Sequence, residues 1–432
     1  MPLLLLTAGL WLGGRLRFFW FCHPIRTIRT LRDAACGDGT SPAAALSMAL
    51  AGTLGVGNIA GVATAITAGG AGAVLWMVLG ALCAMGVKYA EVYLAVRYRR
   101  QRTVRGQSEY YGGAMYYIRD GMERMAAGPR GRRGAWAAGG VFALLCACNA
   151  LLTGNVLQVH AATACVKMPP LAFGILFAGV AFLVSVRGTH RVSRITAVLI
   201  PALAGTYVLI SLIILLANAA VIPEILRRIW REAWAIRPAA GGLGGYGISR
   251  AIRYGVTRGI LSNEAGCGTA PTAHAAAHTK SPHHQGCFGI FEVFADTVLL
   301  CTMTALVILL HGEGAGEDGI ALSLHAYAAL GTEIGGPWLG SLMQILLRIS
   351  VVLFAFSTVV CQSCYGVEAL RYFMGGRTAR RIFLGAASVA TVAGAVISPG
   401  IMWQMADLII SAMTAVNVIC VAVLWKTVSK RL

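Results

Sequence analysis

Two glycine-rich stretches decide the fold: Thr53-Leu-Gly-Val-Gly-Asn-Ile-Ala-Gly61 and Arg258-Gly-Ile-Leu-Ser-Asn-Glu-Ala-Gly-Cys-Gly268. Each places small residues and an asparagine inside a hydrophobic segment. Glycines at this density weaken a helix and allow the backbone to open. Within a bilayer, open backbone is tolerated only where it is buried in protein or lines a cavity. A matched pair of such interruptions is the best sequence indication of a secondary transporter's binding site.

The composition places most of the chain in a membrane. Of the 432 residues, 57% are hydrophobic and 12% are charged, and the mean hydropathy is +0.70. Typical soluble domains carry about 25% charged residues. A soluble chain with half that fraction would expose large apolar patches to water, so most of this chain must face lipid. The net charge of +19 does not indicate nucleic acid, because the basic residues lie between apolar segments. Such a distribution is typical of residues that set membrane topology.

Hydrophobic segments of about 20 residues are the unit of a membrane-spanning helix. The sequence contains eleven, near 2–21, 43–68, 72–97, 137–165, 170–187, 194–220, 241–270, 286–311, 338–369, 380–398 and 402–426. The first is short and reaches Arg15 and Arg17 early, as in a chain whose start is truncated. The 12 cysteines lie mostly within these segments, which favours small buried thiols over a redox site.

The charges of the connecting segments predict the orientation. Basic segments follow every odd-numbered span, so they share one side, which the positive-inside rule makes cytoplasmic. They are 15–32, 97–105, 119–133, 187–194, 274–284, 371–381 and 426–431. One exception, 227–237, carries Trp230 and Trp234 and is typical of an amphipathic helix at the membrane surface. We therefore expect a multi-pass protein of a bacterial or archaeal cytoplasmic membrane, with its N-terminus outside and its C-terminus inside.

The eleven spans divide into one extra helix and two sets of five. The second and seventh spans, which carry the glycine-rich stretches, each come first in a set. Because five is odd, the second set begins on the opposite side of the membrane, as in an inverted repeat. The prediction is a single all-α transporter domain, 1–432, with the extra helix at 2–21, the first repeat at 43–220 and the second at 241–426.

A series of motifs follows in order between Thr53 and Leu370. They are GNIAGVATAI (57–66) with GGAGAVLWM (69–77), KYAEVYLAVRYR (88–99), GGAMYYI (112–118), RGILSNEAGCGTAPTAHAAAHT (258–279) with QG (285–286), DTVLLCTMTALVIL (296–309), and AFSTV (355–359) with YGVEAL (365–370). Together they resemble the alanine/glycine:cation symporter family. The resemblance implies the leucine-transporter-type fold, in agreement with the five-plus-five division, and uptake of small neutral amino acids coupled to Na⁺.

The resemblance also implies a set of site residues. The segment 55–58 resembles the unwound part of the family's first core helix, whose backbone amides would hold the substrate carboxylate. Ser357 and Thr358 resemble residues that approach Na⁺, for which hydroxyl and carbonyl oxygens are suitable ligands. The implied substrate contacts are Gly55, Val56, Gly57, Asn58, Gln158, Leu261, Ser262, Asn263, Gly266, Thr358 and Gln362. No cofactor is implied beyond Na⁺ as the coupling ion. For the glycines alone, close helix packing is the competing interpretation.

Three residues depart from the family pattern. Val56 stands where threonine is usual, Leu261 where phenylalanine is common, and Gln362 where the family places tryptophan. Loss of both aromatic residues enlarges an apolar pocket and adds an amide to it. The departures predict a substrate that is larger or more polar than alanine.

Ionisable residues within spans are functional candidates by default. Glu264 lies beside the second glycine-rich stretch, where a structural role in bridging open backbone is favoured over ion binding. Asp296 lies near the start of the eighth span. Pairing with Arg258 or Arg253 and a lone solvated charge are equally consistent with its position.

Two further pairs of residues have helical spacing. Lys88 and Glu91 are three residues apart, which predicts an ion pair on one helix face. His274 and His278 are four residues apart, a spacing that suits zinc, but a zinc-hydrolase signature would place glutamate where Ala275 stands. An ordinary cytoplasmic loop is therefore favoured for the histidines.

The sequence thus predicts a secondary transporter, and not an enzyme, that moves a small neutral amino acid inward with Na⁺ by alternating access. One alternative is a membrane-embedded zinc enzyme that uses His274 and His278. Another is a sensor that binds an amino acid without transporting it.

Overall fold

The protein is almost entirely helical. The structure is a computed structural model that describes residues 2–32, 40–104, 107–126, 128–235, 246–279, 281–312, 319–397 and 400–429. The helices of the first half are α1 Pro2–Arg15, α2 Phe19–Cys22, α3 Pro24–Arg32, α4 Pro42–Thr53, α5 Val62–Gly69, α6 Gly72–Arg97, α7 Ala114–Met125, α8 Gly128–Leu151, α9 Leu157–Thr163, α10 Pro170–Ser185 and α11 Thr189–Ala217. The others are α12 Ile222–Ala233, α13 Tyr246–Asn263, α14 Pro271–Ala275, α15 Pro282–Val293, α16 Thr302–His311, α17 Gly319–Leu370, α18 Gly376–Val396, α19 Gly400–Val423 and α20 Trp425–Ser429.

Among the described residues, three π-helical segments join consecutive helices of this bundle. Gly57–Gly61 leads into α5, Leu152–Val156 joins α8 to α9, and Phe294–Cys301 joins α15 to α16. A π-helical turn inserts an extra residue and frequently marks a functional site.

Seven of the described helices or helix pairs are long and apolar enough to cross a membrane, and the bent pair α4–α5 makes an eighth. α10 is apolar but has 16 residues. The bounds of α6 agree with the predicted third span, and α8–α9, α11, α15–α16, α18 and α19 cover the corresponding predictions with shifted ends. The total of eleven spans and the division into two repeats stay predictions.

The predicted first span is interrupted before its end. α1 stops at Arg15, and Arg17 and Phe18 adopt left-handed backbone angles, with φ of 54° and 43°. Such angles are unfavourable for residues with a side chain and end the helix. Hydrophobicity predicts this segment's environment but does not show the turn.

Two elements were missed by the sequence reasoning. Residues 319–334 form a helix that precedes the predicted ninth span, and the chain turns at Gly335 and Gly336, before Pro337. Strands β1 Arg100–Val104 and β2 Gln107–Tyr111 form an antiparallel hairpin within the predicted cytoplasmic segment. The all-α class is otherwise confirmed, because this hairpin is the only sheet among the described residues.

The predicted amphipathic helix is confirmed in part as α12, which ends at Ala233, so that Trp234 lies just beyond it and residues 236–237 lie outside the described residues. It exposes Leu226 and Trp230 on one side and buries Ile225 and Ile229 on the other. The indole nitrogen of Trp76 in α6 donates to the Ala233 carbonyl oxygen at 3.1 Å. This bond ties the amphipathic helix to the end of the bundle.

Candidate functional site

The first glycine-rich stretch opens the helix that contains it. α4 ends at Thr53, Leu54 has an extended ψ of 102°, and the helix resumes after a bend of 56°. Side chains bind the backbone that the opening exposes. The Gly55 amide donates to Asn58 Oδ1 at 3.1 Å, and the Val56 amide donates to Gln158 Oε1 at 3.2 Å. The prediction of an opening at this stretch is confirmed.

The second stretch opens in a different way. α13 ends at Asn263, and residues 264–270 follow a non-helical path before α14. Glu264, Gly266 and Gly268 all have positive φ, of 49°, 86° and 77°. The Glu264 carboxylate accepts hydrogen bonds from the Thr269 hydroxyl and, at 2.9 Å, from Gln362 Nε2. Its contacts are thus those of a structural bridge across open backbone.

The two openings lie against each other. A methyl group added at Gly57 would lie 2.9 Å from the Ser262 Cα atom, so glycine is needed for this close approach. Asn58 Nδ2 donates to Asp296 Oδ1 at 2.8 Å, and the Ser262 hydroxyl donates to Asp296 Oδ2 at 2.7 Å. Asp296 therefore joins the first opening to the second from the neighbouring π-helical segment.

Both interpretations offered for Asp296 are wrong, because it pairs with neither Arg258 nor Arg253 and it is buried rather than solvated. Arg258 pairs with Asp407 at 3.1 Å, and the Thr297 hydroxyl adds another hydrogen bond to Asp296 at 2.8 Å. The carboxylate is buried, and no described basic side chain lies within ion-pair distance of it. Asp296 belongs to the DTVLLCTMTALVIL motif, but a motif does not specify which distant residues its carboxylate meets.

The predicted ion-site residues differ in what they contact. The Thr358 hydroxyl donates to the Leu54 carbonyl oxygen, which the first opening exposes, at 3.1 Å. It also contacts the Phe354 carbonyl oxygen at 3.0 Å. The Ser357 hydroxyl donates to the Phe354 carbonyl oxygen at 2.8 Å, within its own helix. The structure therefore brings Thr358 to the opening, with Ser357 beside it.

Two glutamines complete the surroundings of the openings. Gln158 binds the first opening through Oε1 and its own helix through Nε2, which donates to the Thr153 carbonyl oxygen at 3.2 Å. Gln362 Nε2 donates to Glu264 and, at 3.3 Å, to the Gly52 carbonyl oxygen. The Oε1 atom of Gln362 is buried without a hydrogen-bond partner. It is an acceptor that no described donor uses.

Two of the predicted contacts lie apart from this cluster. Leu261 is partly buried against the hydrophobic cluster that includes Leu5 and Val256. Gly266 faces α1 and α19, since an added methyl group would meet Leu5 Cδ1 at 2.8 Å and Thr414 Cγ2 at 3.0 Å. Neither residue has a hydrogen bond or contact with the polar groups around Asp296 among those the structure shows.

The predicted Lys88–Glu91 ion pair is wrong. The Lys88 ammonium instead contacts Glu292 Oε1 in α15 at 3.0 Å and donates to the Asn263 carbonyl oxygen at 2.9 Å. Spacing along a helix places two side chains on one face, but a buried lysine pairs with the carboxylate that the fold brings closest. Lys88 thus anchors the point at which α13 ends. Asn263 uses its own Nδ2 to donate to Thr297 Oγ1 at 2.9 Å.

The prediction of an ordinary loop for the histidine pair is also wrong for His274. It is buried in α14, where its Nε2 lies 3.0 Å from Glu292 Oε2 and its Nδ1 accepts from Gln285 Nε2 at 2.8 Å. The ring of His278 packs against Tyr110. Within the part of the chain that the structure describes, no group of three or more His, Cys, Asp or Glu side chains is arranged to hold a metal ion.

A helical bundle in which two opened helices meet across buried polar groups is the arrangement expected of the leucine-transporter-type fold. The fold is shared with MhsT in complex with L-phenylalanine, at a TM-score of 0.59 and 15% sequence identity, over 90% of this chain and 89% of that one. The predicted fold class is thereby confirmed. The model of the sodium:alanine symporter family matches residues 1–432, and the chain belongs to that family.

Two relatives illustrate the range of the family. The sodium/alanine symporter AgcS of Methanococcus maripaludis is 34% identical over 97% of this chain and 90% of its own length. The probable sodium/glutamine symporter GlnT of Bacillus subtilis is 29% identical over 98% of this chain and 85% of its own length. Family membership makes the protein a multi-pass membrane transporter of the sodium-coupled amino-acid symporter class, rather than an enzyme.

Proposed function

We propose that the protein carries a neutral amino acid inward together with Na⁺ by alternating access. The observation that supports this most strongly is the meeting of the two openings at Gly57 and Ser262, with Asp296 hydrogen-bonded to both sides. The distance between groups on two separately opened helices changes when either helix moves. A substrate and an ion bound there therefore each influence the other's affinity, and the coupling is reciprocal.

The first opening is the proposed site of the substrate carboxylate. A helix that begins within the bundle leaves its first amide groups without intrahelical acceptors, and its dipole favours an anion. Gly55 and Val56 already have side-chain partners, so the amides of the next turn, from Gly57, are the remaining donors. Ser262 and Asn263 approach this proposed carboxylate site from the second opening.

Two oxygen clusters support cation binding beside the substrate. One consists of the Thr358 hydroxyl and the Leu54 carbonyl, with Ser357 adjacent. The other consists of Asp296 with Asn58, Ser262 and Thr297. A buried carboxylate without a basic partner requires a cation or a proton. We place the coupling ion at these clusters, and Asp296 supplies the negative charge that attracts it.

The proposed substrate is a neutral amino acid of the alanine type, with polar side chains larger than methyl also admitted. The unpartnered Gln362 Oε1 would accept a hydrogen bond from such a side chain. The names of the relatives, which refer to alanine for AgcS and glutamine for GlnT, support the same range. A competition-binding panel of glycine, alanine, serine, glutamine and leucine on the purified protein tests this range. Competition by glycine and alanine alone would contradict it.

The proposed location is a prokaryotic cytoplasmic membrane, with the N-terminus outside and the C-terminus inside. The distribution of basic segments supports this orientation. A reporter fused after Leu432 that is active only in the cytoplasm is the expected result. Activity of that fusion on the external side of the membrane would show that a span has been miscounted.

A further inference from the structure

A cavity of about 2050 Å³ lies at the end of the bundle where the basic segments meet. Three separate parts of the chain enclose it: the β1–β2 hairpin with the start of α7, the turn between α10 and α11, and the connection between α17 and α18. No residue of the proposed amino-acid site lines it. Typical sites for small molecules have volumes of about 300–1,000 Å³, so this cavity holds more than a small free anion.

The lining of this cavity is strongly basic. Ten arginines face it, against the single carboxylate of Glu109. Four of the arginines pair with Asp120, Glu109 or Glu368, at distances from 2.8 to 3.3 Å. Of the other six, Arg380 interacts electrostatically with the Glu368 carboxylate. The remaining five form no ion pair with any carboxylate in the described ranges; they are Arg187, Arg191, Arg194, Arg377 and Arg381. A concave surface with this much unneutralised charge attracts an anion.

One wall of the cavity is apolar and continues along the outside of α10. Exposed apolar side chains begin at Leu171 near the start of that helix, and the run ends with Phe182, Leu183 and, just after the helix, Val186, which line the cavity. Leu183 is 65% exposed. A free phosphate has no apolar part to pack against this wall, whereas the apolar part of an amphipathic ligand packs against it.

Membrane topology alone does not explain this arrangement. The positive-inside rule requires basic residues on the cytoplasmic side, and exposed residues such as Arg130 and Arg133 satisfy it without lining any part of this cavity. It does not require arginines from three distant segments to face a common space. Guanidinium groups bind phosphate oxygens in a two-pronged geometry, and basic pockets at the membrane surface bind phospholipid headgroups.

We infer that this cavity binds an anionic phospholipid, whose phosphate lies among the unneutralised arginines and whose acyl chains lie along α10. The inference depends on the proposed orientation only for the leaflet that supplies the lipid. It concerns a site separate from the amino-acid site. A finding that the protein does not transport amino acids would therefore not bear on this lipid site.

The test uses the full-length protein in a neutral detergent and measures its melting temperature with added lipid. We expect phosphatidylglycerol to stabilise the wild type, and phosphatidylcholine or inorganic phosphate at matched concentration to have little effect. The variant R191Q/R381Q should need about tenfold or more phosphatidylglycerol for the same shift, because two phosphate contacts are lost. The matched control R130Q/R133Q should behave as the wild type. Equal stabilisation by inorganic phosphate or phosphatidylcholine, or equal responses of the two variants, would overturn the proposal.

A second measurement needs no variant. Hydrogen exchange of the wild-type protein is compared in nanodiscs of phosphatidylcholine with and without phosphatidylglycerol. We expect added protection in segments 186–194 and 371–381 and none in 128–135. Absence of protection in the first two segments, or equal protection in the third, would also overturn the proposal.

Discussion

Asn58 in the first opening donates its side-chain amide to the Asp296 carboxylate at 2.8 Å, although 238 residues separate the two in the sequence. The second carboxylate oxygen of Asp296 accepts from Ser262 in the other opening. The Thr304 hydroxyl in α16 also donates to the Asn58 carbonyl oxygen, at 2.9 Å. The two opened helices thus share one buried acidic group, which neither can leave without breaking a hydrogen bond.

The first prediction concerns that shared group. Asp296→Asn keeps the size of the side chain but removes its charge, so we expect the stimulation of amino-acid binding by Na⁺ to fall at least tenfold. Asp407→Asn is the control, because Asp407 pairs with Arg258 and is partly exposed. Scintillation binding at varied Na⁺ distinguishes the variants. A Na⁺ response in Asp296→Asn equal to that of the wild type would remove Asp296 from the ion site.

The second prediction concerns the close approach of the openings. Gly57→Ala places a methyl group 2.9 Å from the Ser262 Cα atom, whereas the nearest atom to a methyl group at Gly61 is 3.9 Å away. Overpacking of a tight site costs about 1–3 kcal/mol, so Gly57→Ala should lower uptake about tenfold. Gly61→Ala should leave uptake within about twofold of the wild type, since ordinary contact is retained. Equal uptake by the two variants in proteoliposomes would show that the openings need not approach.

The third prediction concerns the threonine at the first opening. Thr358→Val keeps the shape of the side chain and removes the oxygen that contacts the Leu54 carbonyl. A lost polar ligand costs about 1–3 kcal/mol, so the apparent Na⁺ affinity should fall by about tenfold or more. Ser357→Ala should have a smaller effect, because that hydroxyl is bonded within its own helix. Titrations of uptake against Na⁺, with Li⁺ and H⁺ as controls, give the affinities. If Thr358→Val and the wild type have the same apparent Na⁺ affinity, Thr358 is not part of the ion site.

The fourth prediction concerns substrate selectivity. Gln362→Trp removes the available Oε1 acceptor and fills its space, so preference should shift towards glycine and alanine. One methylene group in such a pocket is worth about 1–3 kcal/mol, which competition uptake readily detects. Leu261→Phe alone should change the ranking little, because Leu261 packs against the apolar cluster that includes Leu5 and Val256. If Leu261→Phe shifts the substrate preference and Gln362→Trp does not, then Leu261 rather than Gln362 contacts the substrate.

The fifth prediction concerns stability. Lys88→Met leaves the buried Glu292 carboxylate without its cationic partner, a loss that costs about 3–5 kcal/mol. We expect a clear drop in melting temperature in detergent. The double variant Lys88→Met with Glu292→Met should recover part of it, since Glu292 is then no longer a buried carboxylate without its partner. If the double variant is less stable than the single one, the ion pair is not the reason for the loss.

The sequence was sufficient for the class of fold and for the positions of both openings. Clustered glycines beside an asparagine weaken a membrane helix, and the opened backbone must then be buried in protein or line a cavity. The sequence also located α6 to the residue. It could not assign the partners of Asp296 and Lys88, because periodicity shows which face a side chain occupies but not which distant helix meets that face. The same limit applies to Leu261, whose neighbours follow from the direction α13 takes as it approaches the opening.

Hydropathy also does not distinguish a straight helix from an interrupted one. The turn at Gly335 and Gly336 and the left-handed residues Arg17 and Phe18 both lie in or beside apolar sequence. Their positions depend on backbone angles, which hydropathy does not report. The β1–β2 hairpin was hidden for a related reason, since its charged residues indicate only a solvated segment.

The most direct test of the central claim is uptake of radiolabelled alanine into proteoliposomes under an inward Na⁺ gradient. We predict transient accumulation above the external concentration, abolished when choline replaces Na⁺ or when a Na⁺ ionophore collapses the gradient. Asp296→Asn should insert into the proteoliposome membrane normally and fail to accumulate the substrate. Accumulation that is independent of Na⁺ would contradict coupling, and specific binding without any accumulation would identify a sensor instead of a symporter.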